Sequence, residues 1–174
     1  EAEQAQAAIY DANDDQSTFT FDTNTTTGNT AARYRYDTSN AADDYIVFPG
    51  VELKAGSKYK VALDAASYSE NYPERIEVVA GKVAKASELT IPVIAATDVA
   101  TKDFIKVSNN EFTVTEDGTY FIAVHAISDK NQFYLYVDNF SVAELDDSAP
   151  AAVSDLAVVA DAQGANKATV SFTV

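Results

Sequence analysis

The stretch "NEFTVTEDGTYFIAVHAISDKNQFYLYVDNFSVAEL", residues 110–145, decides the fold. Its first part reads as two strands around a turn at Glu116 to Gly118, rich in β-branched and aromatic residues. Its second part, from Lys130, reads as the last long strand, with Asp138 and Asn139 breaking an apolar run. A polar break of that kind in a strand predicts a bulge or a buried polar partner.

The rest of the chain repeats the pattern. "STFTF" is the first strand candidate, and "NTTTGNT" after it has the composition of a loop. In "ARYRY", Tyr34 and Tyr36 share one face while Arg33 and Arg35 share the other. "DDYIVFPG" is an apolar strand stopped by Pro49 and Gly50. In "SKYKVALDAAS", Tyr59, Val61 and Leu63 alternate with Lys60, Ala62 and Asp64, the mark of a half-buried strand. "RIEVVAG" puts Ile76 and Val78 inward. Nothing sustains helical periodicity for long, so the expected fold is an all-β antiparallel sandwich over residues 1–145. The composition changes at Asp146: residues 146–152 read as a linker, and residues 153–174 give two alternating runs (Leu156, Val158; Val170, Phe172) around a Gly164 turn. Two strands cannot bury a core alone, so this segment is expected to be the start of a second domain.

The chain of 174 residues is long enough for one well-buried core. It carries 12 Lys and Arg against 27 Asp and Glu, a formal net charge of −15. Such a field repels phosphate backbones and anionic lipid surfaces and attracts cations, so neither nucleic acid nor a membrane surface is an expected partner. There is no cysteine, which excludes disulfides, thiol nucleophiles and zinc-thiolate sites. No apolar run approaches the roughly 18 residues of a membrane span, and no basic-then-apolar leader opens the chain. Beginning at Glu1 with no Met anywhere, it reads as a mature or excised part of a longer, secreted protein.

"YDANDDQSTFTF", residues 10–21, crowds Asp11, Asn13, Asp14 and Asp15 ahead of a strand. Asp and Asn are ordinary turn residues, because their side chains bond nearby backbone groups. The i, i+2, i+4 spacing of Asp11, Asn13 and Asp15 also lets a curled loop aim several hard oxygens at one centre, as calcium requires. It is not an EF-hand: Gln16 stands at the sixth position, where that loop needs Gly, and a strand-like stretch follows instead of a helix. Asp14 is a substitute ligand, and Asp43 and Asp44 are further oxygen donors if the fold brings them near, or else a solvated strand entry. Asp138, mid-strand among apolar residues, requires a partner if buried.

Taken in order, "YDANDDQSTFTF", "DDYIVFPGVELKAGSKYKV", "YPERIEVVAG" and "EDGTYFIAVHAISDKNQFYLYVDNFSV" resemble the cleaved-adhesin and choice-of-anchor modules. These occur in secreted and surface proteins of gut and oral anaerobic bacteria, including the adhesin regions of gingipain proteases. The resemblance runs from about Ile9 to Leu145 and is carried by the order and spacing of the pieces. It implies a galactose-binding-like jelly roll with structural calcium and no catalytic machinery of its own. The family's Asp-rich loop matches Asp11, Asn13 and Asp15, and its last-strand aspartate matches Asp138. The chain departs from the family at two places where Trp is frequent and Phe19 and Tyr45 stand instead. "SAPAAVSDLAVVADAQGANKATVSFTV" resembles the opening of a fibronectin type III domain.

His125 is the lone histidine, with no second His or Cys to build a transition-metal site, and is expected to be structural. No G-x-S-x-G nucleophile motif is present, and abundant carboxylates are poor evidence of a glycosidase pair. Sugar sites need aromatic faces together with planar polar groups. "SYSENYPER" offers Tyr68, Asn71, Tyr72 and Arg75 in one loop, while Tyr34 and Tyr36 in "RYRY" read as ordinary strand tyrosines before they read as sugar contacts. The expected function is therefore a non-catalytic, calcium-stabilised adhesion or carbohydrate-binding module of a secreted or surface bacterial protein. Its partners would be a host glycan or glycoprotein and neighbouring domains of the same chain. The alternative is a structural spacer, or an accessory domain of a secreted protease or glycosidase.

Overall fold

Period-two alternation buries every second side chain only if two sheets face each other, and the chain does this. The computed structural model describes residues 7–23, 30–145, 157–160 and 168–171. One sheet holds β1 (Ala8–Asp11), β4 (Asp44–Val47), β10 (Gly118–Ala126), β7 (Glu74–Gly81) and β8 (Ile91–Val99) in that order, with β5 (Val51–Leu53) also pairing on β10. The other runs β2 (Phe19–Thr23), β3 (Thr30–Arg35), β11 (Tyr134–Leu145), β6 (Lys58–Ser67) and β9 (Ile105–Phe112). All these pairs are antiparallel; β2–β3, β4–β5 and β7–β8 each stay within one sheet, and every other step along the chain from β1 to β11 crosses to the facing sheet, as in a jelly roll.

The core lies between the sheets. Ile46, Ile76, Val78, Ile122 and Val124 from the first sheet meet Tyr34, Leu63, Ala65, Leu135 and Val137 from the second, all buried. Each large aliphatic side chain contributes about 1.5–3 kcal/mol by leaving water. The expected polar break in the last strand is a bulge: the register of β11 on β6 shifts between Asp138 and Ser141, and Asn139 takes a left-handed φ of 52°.

A smaller cluster of Val47, Val79, Leu89 and Ala123 covers part of the first sheet's outer face. Leu89 is brought there by a short 3-10 turn at Ala86–Glu88. Gly81 makes that approach possible, since a Cβ there would stand 2.2 Å from the Glu88 carbonyl oxygen. Gly81→Ala should therefore cost about 1–3 kcal/mol, as overpacking does. The check is the urea midpoint, and an unchanged midpoint would refute this account of the turn.

Strand directions gather five connections at one end of the sandwich. Asp11 pairs with Asp44, Asp44 with Ala126 and Ala126 with Ile76, while Phe19 pairs with Tyr34, Tyr34 with Leu135 and Leu135 with Ser67. Loops 12–18, 36–43, 68–73, 100–104 and 127–133 therefore converge there. Hydrogen bonds tie them together: Ala42 N donates to Ser128 O, Ser67 N to Thr101 O, Tyr68 N to Tyr134 O and Asn131 N to Asp37 O.

Beyond residue 145, β12 (Ala157–Ala160) and β13 (Ala168–Ser171) pair with each other antiparallel. The linker expected at 146–152 lies outside the described residues, as does the Gly164 turn.

Candidate functional site

Strand parity carries two carboxylates into the core at the loop end. Asp44 shares the inward face with Ile46, and Glu74 shares it with Ile76 and Val78; the two acids are 0% and 1% exposed. Asp44 Oδ2 accepts from the Asp43 amide at 3.3 Å, but Oδ1 and both Glu74 oxygens have no hydrogen-bond partner. The Tyr34 hydroxyl and Thr18 Oγ1 are buried without partners too. Thr18 lies close enough to Asp44, and Ser128 to Glu74, to favour the anions, yet neither meets hydrogen-bond geometry. Ser128 Oγ accepts instead from the Arg75 amide at 2.9 Å. Loss of water pushes both carboxyls up to about 7, with the Asp11 and Asp15 charges adding to the effect on Asp44. The Tyr34 phenol is pushed upward as well, by burial first and then by the fields of Asp44, Asp15, Glu74 and Asp37.

Loop 12–18 wraps over this buried acid group. Asp11 accepts from the amides of Asp15 (3.2 Å) and Gln16 (2.8 Å), and Asp15 accepts from the Ser17 amide (2.8 Å) and from Asn13 Nδ2 (2.9 Å). Asn13 Nδ2 also donates to Ala41 O at 2.9 Å. Asp14 and Gln16 adopt left-handed φ values of 55° and 68°. The loop thus has the self-bonded form of a polar turn while bringing Asp11 and Asp15 against Asp44.

Asp138 is placed elsewhere. It lies in the β11 bulge of the second sheet, accepting from the Asn139 amide at 2.7 Å. Asn139 Nδ2 in turn donates to Asp64, which also pairs with Lys106 at 2.8 Å. Among the described residues, no three carboxylate or imidazole side chains form a group able to hold a metal by themselves. Calcium also accepts hydroxyl, amide and carbonyl oxygens. The unpartnered oxygens of Asp44, Thr18 and Tyr34, with Asp11, Asn13 and Asp15 beside them, are hard donors of the kind such an ion requires.

Asp43, one residue from Asp44, faces outward. Its carboxylate meets His125 Nε2 at 2.8 Å, while His125 Nδ1 meets Glu77 at 2.8 Å. The imidazole stacks on Tyr45 at 3.8 Å with rings 9° apart. Both ring nitrogens face carboxylates, so neither is offered to a serine nucleophile.

The second sheet carries aromatic rings on its outer side. Tyr134 and Tyr136 alternate with buried Leu135 and Val137 and so point outward. Phe133 precedes them and gathers loop tyrosines: Tyr68 stacks on it at 4.7 Å, Tyr72 lies at 4.6 Å and Tyr36 at 5.4 Å. Tyr134 is 5.9 Å from Phe133, and Tyr136 is 6.2 Å from Tyr134. Tyr68 and Tyr72 remain 46% and 36% exposed. Phe104, also exposed, falls opposite Ala66 if the pairing of Ala65 with Ile105 is followed one residue further.

Of the sugar-site residues expected from sequence, the structure therefore brings Tyr68 and Tyr72 together. Asn71 is exposed, with its amide bonded to Ser69 Oγ. Arg75 faces the other sheet's outer side, 3.5 Å from Asp98. Tyr34 is core, whereas Tyr36 joins the rings. Sequence reading missed Phe133, Tyr134 and Tyr136, although the alternation in "QFYLYV" signals outward tyrosines. It also missed Glu74, whose i, i+2 relation to Ile76 marks an inward acid.

No protein-family model matches the chain, and neither does any curated protein. Solved structures do share its fold. The K1 cleaved adhesin domain of Lys-gingipain from Porphyromonas gingivalis W83 superposes with a TM-score of 0.64 at 14% identity, covering 80% of this chain and 91% of that one. The C-terminal family 22 carbohydrate-binding module of Clostridium thermocellum Xyn10B gives 0.59 at 13% identity, over 83% and 88%. The CBM22-1-GH10 modules of the same organism's Xyn10B, a xylanase solved with xylohexaose, give 0.55 at 14% identity, over 86% of this chain and 28% of that one. The chain thus has the jelly-roll fold of cleaved adhesin and carbohydrate-binding modules.

Proposed function

We propose that the chain is a non-catalytic carbohydrate-binding or adhesion module of a secreted or surface bacterial protein, with a structural calcium ion under its loop end. The observation that carries this reading is the run of six rings from Tyr36 and Tyr72 through Tyr68 and Phe133 to Tyr134 and Tyr136. Aromatic faces left in water serve the apolar faces of pyranose rings. Tyr68 and Tyr72 are exposed and the other four rings half-buried, so the run offers an apolar surface partly open to solvent. The C-terminal strand pair fits the opening of a fibronectin type III domain, which suits a multidomain parent.

For the metal, Asp11, Asn13, Asp15 and Asp44 would hold the ion, with Thr18 and the Tyr34 hydroxyl as neutral donors. Bound there, the ion would supply the positive charge that the buried carboxylates lack. The protein's own residues do the rest: Asp11 and Asp15 order loop 12–18, and Ser128 ties the start of β7 to loop 127–133.

The test is retention on a broad panel of immobilised glycans and glycoproteins, alongside Tyr134→Ala. Retention that falls about tenfold or more in the variant, with its melting unchanged, supports the platform; tenfold is 1.4 kcal/mol. A folded protein that binds nothing across the panel would leave the spacer or accessory-domain reading ahead.

A further inference from the structure

Two of the chain's three arginines stand on the aromatic face, and their surroundings point to the class of sugar it takes. Arg33 and Arg35 flank buried Tyr34 on β3 and so share the outer side. Across the strand pair, Arg35 is in register with Tyr134 and Arg33 with Tyr136. The Arg33 guanidinium lies 4.9 Å from the Tyr134 ring centre and pairs with Asp22 at 2.6 Å, yet its Nε is buried with no acceptor. Arg35 is exposed, and among the described residues its guanidinium has neither an ion pair nor a hydrogen bond.

Unpaired guanidinium beside a tyrosine face is unusual on a chain of net charge −15, where 27 carboxylates compete for 12 cations. The chain's field as a whole repels anions. An anion that binds must therefore be held at short range, by paired N–H donors whose fork matches a carboxylate. Arg33 lies over one face of the Tyr134 ring and holds it in place, so the apolar face of the same ligand would lie on the opposite face.

Resting on the carbohydrate-binding reading above, we propose that this face binds a pyranose bearing a carboxylate. The sugar ring stacks on Tyr134 and its carboxylate accepts hydrogen bonds from Arg35. Both a uronate within a polysaccharide and a terminal sialate carry that chemistry, and the experiment separates them.

Binding is measured by calorimetry to polygalacturonate, to the same polymer after its carboxyls are reduced to alcohols, to sialyllactose and to lactose. The expected result is binding to at least one acidic ligand that is about tenfold or more tighter than to its neutral counterpart, the size of one charge-assisted hydrogen bond. That margin should weaken with salt and disappear in Arg35→Ala. Arg35 is exposed, so Arg35→Ala should keep the wild-type melting temperature. Polygalacturonate alone would identify an in-chain uronate; sialyllactose alone would identify a terminal sialate. Equal affinity for acidic and neutral forms, or an Arg35→Ala variant that keeps the margin, overturns the proposal and leaves carbohydrate binding standing. Failure to bind these four or any glycan of the broad panel overturns the carbohydrate reading, and this proposal with it.

Discussion

Stripped of divalent cations, the protein should lose stability as pH rises from about 5 to about 7, and Asp44→Asn or Glu74→Gln should each remove part of that loss. Burial pushes the Asp44 and Glu74 carboxyls up to about 7 in the folded protein, from ordinary values of 3.8 and 4.5. A carboxyl whose folded pKa is raised binds its proton more tightly in the native state. Its favourable contribution is complete below the unfolded value and is lost as pH climbs through the folded one. Between those limits each such group lowers stability by about 1.4 kcal/mol per pH unit, and near pH 8 the slope from these two vanishes. Two groups over two units amount to several kcal/mol, a large part of the ~5–15 kcal/mol that holds a domain folded. General repulsion among 27 acidic residues also grows with pH. Comparison with the variants subtracts it, because Asn and Gln keep the shape and cannot ionise. Urea midpoints in chelator at pH 5, 6, 7 and 8 make the measurement. At pH 8 the Asn variant should be the more stable protein, and parallel profiles for wild type and both variants would refute the buried-charge account.

Burial explains which parts of this molecule could be read from sequence. Alternation in "ARYRY", "KYKVAL" and "FYLYV" reports directly on facing, because a strand's side chains must alternate. The sandwich, the bulge at Asp138 and Asn139 and the strand turn before Gly118 were legible for that reason. The site was legible only in part. "YDANDDQ" announces itself as a loop, but Asp44 and Glu74 look like ordinary strand-entry acids until their parity with Ile46 and Ile76 is set against the opposite sheet. Asp138 and Asp11 both attract attention in the sequence, yet they belong to different sheets, and strand order is not written in local pattern. Tyr68 and Tyr72 were visible as loop aromatics. That Phe133 gathers them depends on loop 127–133 folding beside loop 68–73, a contact between segments some sixty residues apart.

Calcium added back to the chelated protein should raise its melting temperature at pH 7–8, more than magnesium does, and Asp44→Asn should abolish the rise. An ion at about 100 times its dissociation constant adds roughly 2.7 kcal/mol, a shift on the order of 5–10 °C for a chain of this length. The Asn substitution thus has opposite signs in the two conditions. It removes a buried unpaired charge, which stabilises the metal-free protein, and it removes a ligand, which takes away the metal's contribution. A merely structural aspartate would not produce that crossing. Replacing Asp11 and Asp15 together by Asn should also remove the response, with some loss of loop order because both carboxylates cap backbone amides. Asp146 and Asp147 changed together are the control. Asp138→Asn separates the two placements the sequence suggested: the response should survive it, since Asp138 sits in the other sheet beside Asp64 and Asn139. If Asp138→Asn abolishes the response and Asp44→Asn does not, the ion is held at the β11 bulge. If calcium shifts nothing while calorimetry detects no binding, the loop is a polar turn and the buried carboxyls stay protonated or unpaired without a metal.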